Sequence, residues 1–177
     1  VNNRNALHDG KRLISWGLDV LRLRDGAKLG ARLDSINIKL AVADAHITLA
    51  DYDTAIDLLH QVLSLHNLES YIHIVSTLRL NKIGRRINRF ESHVGGYLKA
   101  ASLLIVEEGV EVQKEFLAEL AATLAHVKHI EVDNPYHSDL CETVHKTINS
   151  YENHPTLQDD WRLQNIKTMI GKMLPRG

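Results

Sequence analysis

The stretch that decides the fold is Ala50–His66, which reads ADYDTAIDLLHQVLSLH. A short Asp-Tyr-Asp turn leads into an amphipathic helical pattern, in which the small residue Ala55 stands one turn before the bulky Leu59. The preceding segment, Ile36–Leu49, is also helical in pattern and carries alanines at positions 41, 43 and 45. Together they predict two antiparallel helices joined by a tight turn, with small residues where the helices cross.

Helical patterns extend along nearly the whole chain. Apolar residues recur at spacings of three and four, and the three prolines lie at apparent helix boundaries. Aromatic residues make up only 5% of the chain, which favours helix packing over a β-sandwich. Gly95-Gly96 is expected to end the fifth helix, and Thr156 to cap the last. The predicted helices span residues 11–24, 28–49, 54–65, 67–80, 85–94, 97–108, 112–130, 138–151 and 157–173.

Length and composition set the outer limits. The 177 residues are 44% hydrophobic with a net charge of -1, which suits one domain over residues 1–177. No apolar stretch follows the polar start Val1–Asn5, so no signal peptide is predicted, and a start at Val is consistent with an excised piece of a longer chain. No run approaches the roughly 18 apolar residues of a membrane span. The lone Cys141 excludes an internal disulfide and fits a reducing compartment, so a cytoplasmic location is expected.

Residues 36–68 resemble a tetratricopeptide repeat, a helix–turn–helix of about 34 residues. The matching residues are Val42, Ala43, Asp51, Tyr52, Ala55, Leu59, Val62 and Leu65–Asn67. The departures are Lys39, His46 and Asn67, where the family often has Trp, Tyr and Pro. A weaker copy of the turn-Tyr-x-x-Ala pattern lies at Gly96–Leu104, too far from the first for a perfect repeat. The turn pattern followed by Leu80–Gly84 also faintly resembles the repeat region of a vesicle-tethering (TRAPP) subunit.

The resemblance implies an all-α fold, an irregular α-solenoid of antiparallel helix pairs in a right-handed superhelix. Its concave groove would be lined by the first helix of each pair, here by Asn37, Leu40, Asp44 and Ile47. Repeats that clamp a terminal carboxylate present Lys and Asn in this groove, and Leu40 and Asp44 supply neither kind of donor. A helix or an extended hydrophobic peptide is therefore the expected ligand. The alternative is that these residues pack against a neighbouring helix.

A basic patch is predicted in the middle of the chain. Its members are Arg79, Lys82, Arg85, Arg86 and Arg89. Such a cluster can bind an acidic protein or phosphate groups, but nucleic-acid binding would want interleaved aromatics, and only Phe90 is near. An acidic protein partner is therefore preferred to nucleic acid. A solvated face partly paired with the acidic half of the chain is the commoner meaning of such a pattern.

The sequence predicts neither a metal site nor an active site. His137, Cys141 and His145 are spaced by four, but the outer two would lie about 12 Å apart along a helix, too far for one ion. His126 and His129 form another unsupported pair. No phosphate loop, Gly-x-Ser-x-Gly elbow or His-Glu-x-x-His motif occurs. We therefore expect no metal, no cofactor and no catalysis.

The sequence thus predicts a non-catalytic protein-interaction scaffold or adaptor, a subunit of a larger assembly. Its expected partner is a protein or peptide, either acidic or an amphipathic helix. The alternative is a basic-faced helical module that binds nucleic acid or anionic surfaces. The oligomeric state and the identity of the partner are not specified by the sequence.

Overall fold

The computed structural model describes residues 10–15, 17, 31–87, 94–127 and 135–173. Regular structure in these residues is helical, without any strand, which confirms the all-α class. Residues 10–15 and 17 are helical. The helices that follow are α1 (Ala31–Thr48), α2 (Tyr52–Leu63), α3 (Ser70–Arg86), α4 (Val94–Leu104), a 3-10 turn (Ile105–Glu107), α5 (Val110–His126), α6 (Pro135–Tyr151) and α7 (Trp161–Met173). Within the described residues, none of these helices has the length and apolar character needed to cross a bilayer.

The chain divides into two compact units, unit 1 (Val1–Leu68) and unit 2 (Glu69–Gly177). Each unit has helices that pack on one another. The single domain expected over residues 1–177 stays a prediction.

In unit 1, α1 packs against α2. The small residues that the sequence placed at the crossing are buried, since Ala43 and Ala55 are 0% exposed. On α2 the buried side chains are Ala55, Leu58, Leu59 and Val62, and the opposite face carries Asp53, Asp57 and His60 in solvent. This spacing of three and four gives α2 one apolar face, which α1 covers.

The turn between α1 and α2 is closed by backbone hydrogen bonds. Ala50 has φ of 59° and lies in the left-handed region. The Asp51 N–H donates to the His46 carbonyl at 2.9 Å, and the Ala50 N–H donates to Ile47 at 3.2 Å. This is a Schellman motif, which satisfies the last carbonyls of α1 and turns the chain directly into α2.

Gly17 marks a close approach in unit 1. Gly17 is buried, and a Cβ placed on it would collide with the side chain of Val42 on α1, with Ile38 the next nearest. Only a residue without a side chain allows the backbone to lie this close to α1.

Unit 2 is built around α5. Phe116, Leu117, Leu120 and Leu124 of this helix are all 0% exposed and belong to one continuous apolar cluster. Helix α3 packs on α4 and α5, α4 packs on α6, and α7 packs on α5 and α6. Burying each such leucine stabilises the fold by about 2 kcal/mol relative to leaving it exposed. The core therefore holds all five helices of the unit, with members from each of them.

The helix boundaries around the glycine pair differ from the sequence prediction. The helix expected at residues 85–94 does not begin at Arg85, because Arg85 and Arg86 belong to the last turn of α3, and residues 88–93 of that prediction lie outside the described residues. Gly95 and Gly96, expected to stop a helix, lie in the first turn of α4. Glycine costs backbone entropy in a helix, and the packing of Leu98 and Ala101 in the core holds α4 in spite of that cost.

The start of α7 was also misplaced. The helix was expected from Leu157 with Thr156 as its cap, but it begins at Trp161. Asp160 precedes it, and its Oδ1 accepts the Arg162 backbone N–H at 2.9 Å, the geometry of an N-cap. Leu157 is 0% exposed and anchors the preceding turn in the core, which accounts for its apolar character without a helix.

Candidate functional site

The predicted groove residues on α1 divide into two kinds. Leu40 and Ile47 are only 6% and 4% exposed, so both belong to the buried side of the helix. Asn37 is exposed and Asp44 is half-buried. The polar pair is therefore accessible, whereas Leu40 and Ile47 are packed inside the protein. For Leu40 and Ile47 this is the alternative given above, in which they pack against a neighbouring helix instead of lining a groove.

His46 and Asp51 link the end of α1 to the start of α2. His46 Nδ1 lies 2.8 Å from Asp51 Oδ2, with the His46 side chain 11% exposed and that of Asp51 47% exposed. The pKa of the Asp51 carboxyl is lowered, chiefly by a hydrogen bond from the Thr54 side chain; burial opposes this shift, and hydrogen bonds from His46 and from the Thr54 backbone add to the lowering. His46 is thus part of the turn itself.

The predicted basic patch does not act as one exposed cluster. Lys82 and Arg86 are exposed, whereas Arg79 is half-buried and donates to the Val75 carbonyl at 3.3 Å. Arg85 is held by an ion pair with α5. Arg89 lies outside the described residues.

A buried polar cluster joins α3 to α5. Arg85 donates through Nε and Nη2 to the two carboxylate oxygens of Glu119, at 2.9 and 2.8 Å. Asn81 is 0% exposed, and its Nδ2 donates to Glu119 Oε1 at 2.7 Å and to Thr123 Oγ1 at 2.9 Å. The side chains of Arg85 and Glu119 are 19% and 12% exposed. A two-point contact of this kind fixes both the distance and the orientation of the two helices.

A second polar cluster joins α4 to α6 at the surface. Lys99 Nζ donates to Asp139 Oδ1 at 2.9 Å and to Glu142 Oε2 at 2.8 Å. The hydrogen bonds that Lys99 donates to Glu142 and then to Asp139 raise the pKa of Lys99 to about 12. The three side chains are 40%, 39% and 63% exposed, so water competes for each of these contacts.

The histidine and cysteine candidates on α6 occupy different environments. His137 and Cys141 are half-buried, and burial raises the pKa of the Cys141 thiol, which packs against the core. His145 is exposed in an open surface depression. That depression is lined by Glu142, His145, Lys146, Asn149 and Ser150. Among the described residues, no three His, Cys, Asp or Glu side chains come together as metal ligands. His126 is exposed at the end of α5, and His129 lies outside the described residues.

Among the described residues of unit 2, three large apolar side chains are more than half exposed. Leu103 is 64% exposed, Val106 is 63% exposed, and Trp161 is 65% exposed. Leu103 and Val106 are three residues apart, at the end of α4 and in the 3-10 turn, so they are neighbours on the surface. Trp161 begins α7, and the Arg162 guanidinium lies 4.8 Å from the centre of its ring.

Sequence reasoning missed the exposed pair Leu103 and Val106. A signal was present, because residues 103–106 read Leu-Leu-Ile-Val, and four consecutive apolar residues cannot all lie on one face of a helix. The structure buries Ile105, at 2% exposed, and half-buries Leu104, which turns the other two outward.

Comparison with known proteins gives no relative. No protein-family model matches the chain, and no curated protein and no solved structure matches it significantly.

Proposed function

We propose that the chain is a non-catalytic protein-interaction scaffold, a subunit of a larger assembly, built as an irregular α-solenoid of antiparallel helix pairs similar to tetratricopeptide repeats. The observation that carries this proposal is the packing order in unit 2, where α3 packs on α5, α4 on α6 and α5 on α7. Stacked helix pairs give this next-but-one order, because equivalent helices of successive pairs lie side by side.

The α1–α2 pair supports the same architecture. Only three residues, Leu49–Asp51, connect the two helices, and short connections join antiparallel neighbours. Ala43 and Ala55 are fully buried, as expected where two helices of a repeat cross closely.

In such an array the exposed face of the first helix contacts the partner. Of the four groove residues expected on α1, Asn37 is exposed and Asp44 is half-buried, whereas Leu40 and Ile47 lie in the packing. We therefore assign the partner contact on α1 to Asn37 and Asp44. A helix or an extended peptide that offers hydrogen-bond donors suits this polar pair.

Co-purification followed by mass spectrometry tests the scaffold function. Asn37→Arg and Asp44→Lys should each remove the same partner proteins while circular dichroism keeps its helical signal. Asp57→Lys is the matched control, since Asp57 is exposed on α2. Leu40→Arg is unsuitable, because a charge at a buried position destabilises the fold itself. If both α1 variants retain the wild-type partners, this contact is wrongly assigned, and a wild type without reproducible partners contradicts the scaffold.

The basic-faced alternative has less support, because the Arg85 guanidinium is occupied by Glu119. A phosphate binder loses affinity steeply as salt rises. We expect a labelled oligonucleotide to bind weakly even at low salt. Tight binding with a steep salt dependence would favour the alternative instead.

A further inference from the structure

The outward side of α4 and the 3-10 turn carries two exposed apolar side chains, Leu103 and Val106. Gly96, Ala100 and Leu103 follow one another at helical spacing, and Val106 continues the line. Gly96 is exposed, and among the described residues no atom outside its own stretch of helix backbone lies within 4 Å of the position a Cβ would take on it. A partner helix can therefore approach α4 closely at Gly96 and contact Leu103 and Val106 further along.

Acidic groups follow directly on this apolar face. Glu107 is exposed and Glu108 half-buried, and within the described residues neither forms an ion pair. Glu111 is 85% exposed and pairs with Lys114 at 2.8 Å. The nearest cation on α4, Lys99, is already shared between two carboxylates of α6. The charge beside Leu103 and Val106 is therefore net negative.

We propose that this surface, comprising Gly96, Ala100, Leu103, Val106, Glu107, Glu108 and Glu111, is a docking site for a basic amphipathic helix of a partner protein. The inference rests on the proposed scaffold function and adds a second surface with a partner of defined chemistry. Apolar side chains of the partner cover Leu103 and Val106, and its Lys or Arg side chains face the carboxylates.

Charge selects this occupant over the alternatives. A second copy of the chain would bring the same carboxylates against these, and like charges facing each other across an interface oppose association. Anionic lipid headgroups and nucleic-acid phosphates are disfavoured for the same reason.

The carboxylates also have a local role. Glu107 and Glu108 precede the first turn of α5, where negative charge interacts favourably with the helix dipole. That role explains why Glu107 and Glu108 are acidic, but it does not explain why Leu103 and Val106 are exposed. A binding assay distinguishes a purely local role of the carboxylates from a role in docking.

Fluorescence anisotropy with two synthetic peptides tests the proposal on the purified full chain. One probe is an amphipathic helix of leucine and lysine, and the other has glutamate in place of every lysine. The lysine peptide should bind and the glutamate peptide should not. Leu103→Ser with Val106→Ser should weaken binding by roughly tenfold or more, the factor expected from the lost burial of one leucine. Glu107→Gln with Glu108→Gln should weaken binding and flatten its salt dependence.

Matched controls come from elsewhere in the chain. Trp161→Ser removes an equally exposed apolar side chain of unit 2, and Asp53→Asn with Asp57→Asn removes two exposed carboxylates of α2. Both controls should bind the lysine peptide as wild type does.

Three results would overturn the proposal: equal binding of both peptides, an equal loss in the controls, or a dimer in sedimentation that Leu103→Ser with Val106→Ser dissolves. Because the assay uses a purified chain, a failure here leaves the co-purification result standing, and the reverse also holds.

Discussion

Unit 2 contains two interhelical ion-pair clusters of the same chemistry in opposite surroundings. The Arg85–Glu119 pair between α3 and α5 is mostly buried and joined by a fully buried Asn81, whereas Lys99 between α4 and α6 is 40% exposed. Their distances are nearly equal, with contacts of 2.8 to 2.9 Å in both. We therefore expect the contributions of the two clusters to stability to differ chiefly because they are desolvated to different extents.

Breaking the buried cluster should have the largest effect. Glu119→Ala leaves the Arg85 charge and the Asn81 amide without their shared acceptor. We expect a loss of about 3 kcal/mol in the free energy of unfolding, measured by urea denaturation. The double variant Arg85→Met with Glu119→Leu removes both charges and should recover most of this loss. A small effect of Glu119→Ala alone would mean that water reaches this cluster as freely as it reaches Lys99.

Tyr151 extends the comparison to a polar side chain that is buried outside both clusters. Its side chain is 4% exposed, and its hydroxyl has no hydrogen-bond partner among the described residues. Burial raises the pKa of Tyr151 from 10.0 to about 12. The folded-state pKa lies above the unfolded value, so the folded state keeps the phenol proton to higher pH than the unfolded state does. The contribution of Tyr151 to stability is therefore fully present below pH 10 and is lost as pH rises through about 12.

We expect wild type to lose about 2–3 kcal/mol more stability than Tyr151→Phe between pH 10 and pH 12. Urea denaturation at several alkaline pH values measures the difference, and the variant cancels the contributions of Tyr97, Cys141 and Lys99, whose pKa values are also raised. At pH 7 the variant should be at least as stable as wild type, because it removes an unsatisfied hydroxyl from the core. Parallel pH profiles would place the hydroxyl in contact with water.

A substitution that relieves backbone strain in unit 1 is expected to change stability by an amount between the effects at the two clusters. Ala50 adopts φ of 59°, which a Cβ disfavours and glycine accepts freely. Ala50→Gly should raise stability by about 1 kcal/mol, which thermal unfolding can measure. Ala50→Val is the matched opposite, because a β-branched side chain increases the strain. A loss of stability in the glycine variant would show that unfolded-state entropy outweighs the relief of strain.

The exposed cluster should respond least. Lys99→Met removes both contacts to α6, yet the two carboxylates left behind can be solvated in place of their ion pairs. We expect no measurable change in the urea midpoint at moderate salt. A clear loss of stability that persists at high salt would contradict the comparison, because the exposed cluster would then stabilise the fold as strongly as the buried one.

The sequence predicted the local structure better than the contacts between helices. The pattern around Ala55 and Leu59 located α1, α2 and their turn, because helical periodicity and tight turns depend on neighbouring residues. The pairing of Arg85 with Glu119 joins residues 34 apart, which no local pattern specifies. The interpretation of Arg85 as part of an exposed patch rested on its neighbours alone.

The candidate binding surfaces also depend on contacts between distant residues, which a local sequence pattern does not specify. Leu40 and Ile47 fit the register of a groove, but which face of α1 is covered depends on everything that packs against it. Leu103 and Val106 are as apolar as the core residues, and the burial of Ile105 leaves them facing outward. Burial is a property of the assembled fold, so composition alone cannot decide it.

The close approach at Gly17 has a consequence for the evolution of the chain. A methyl group at position 17 meets the side chain of Val42, so the two positions share one volume. Related chains should accept a larger residue at position 17 only where position 42 has become smaller. Residues 17 and 42 are therefore expected to covary, although 25 positions separate them in the sequence.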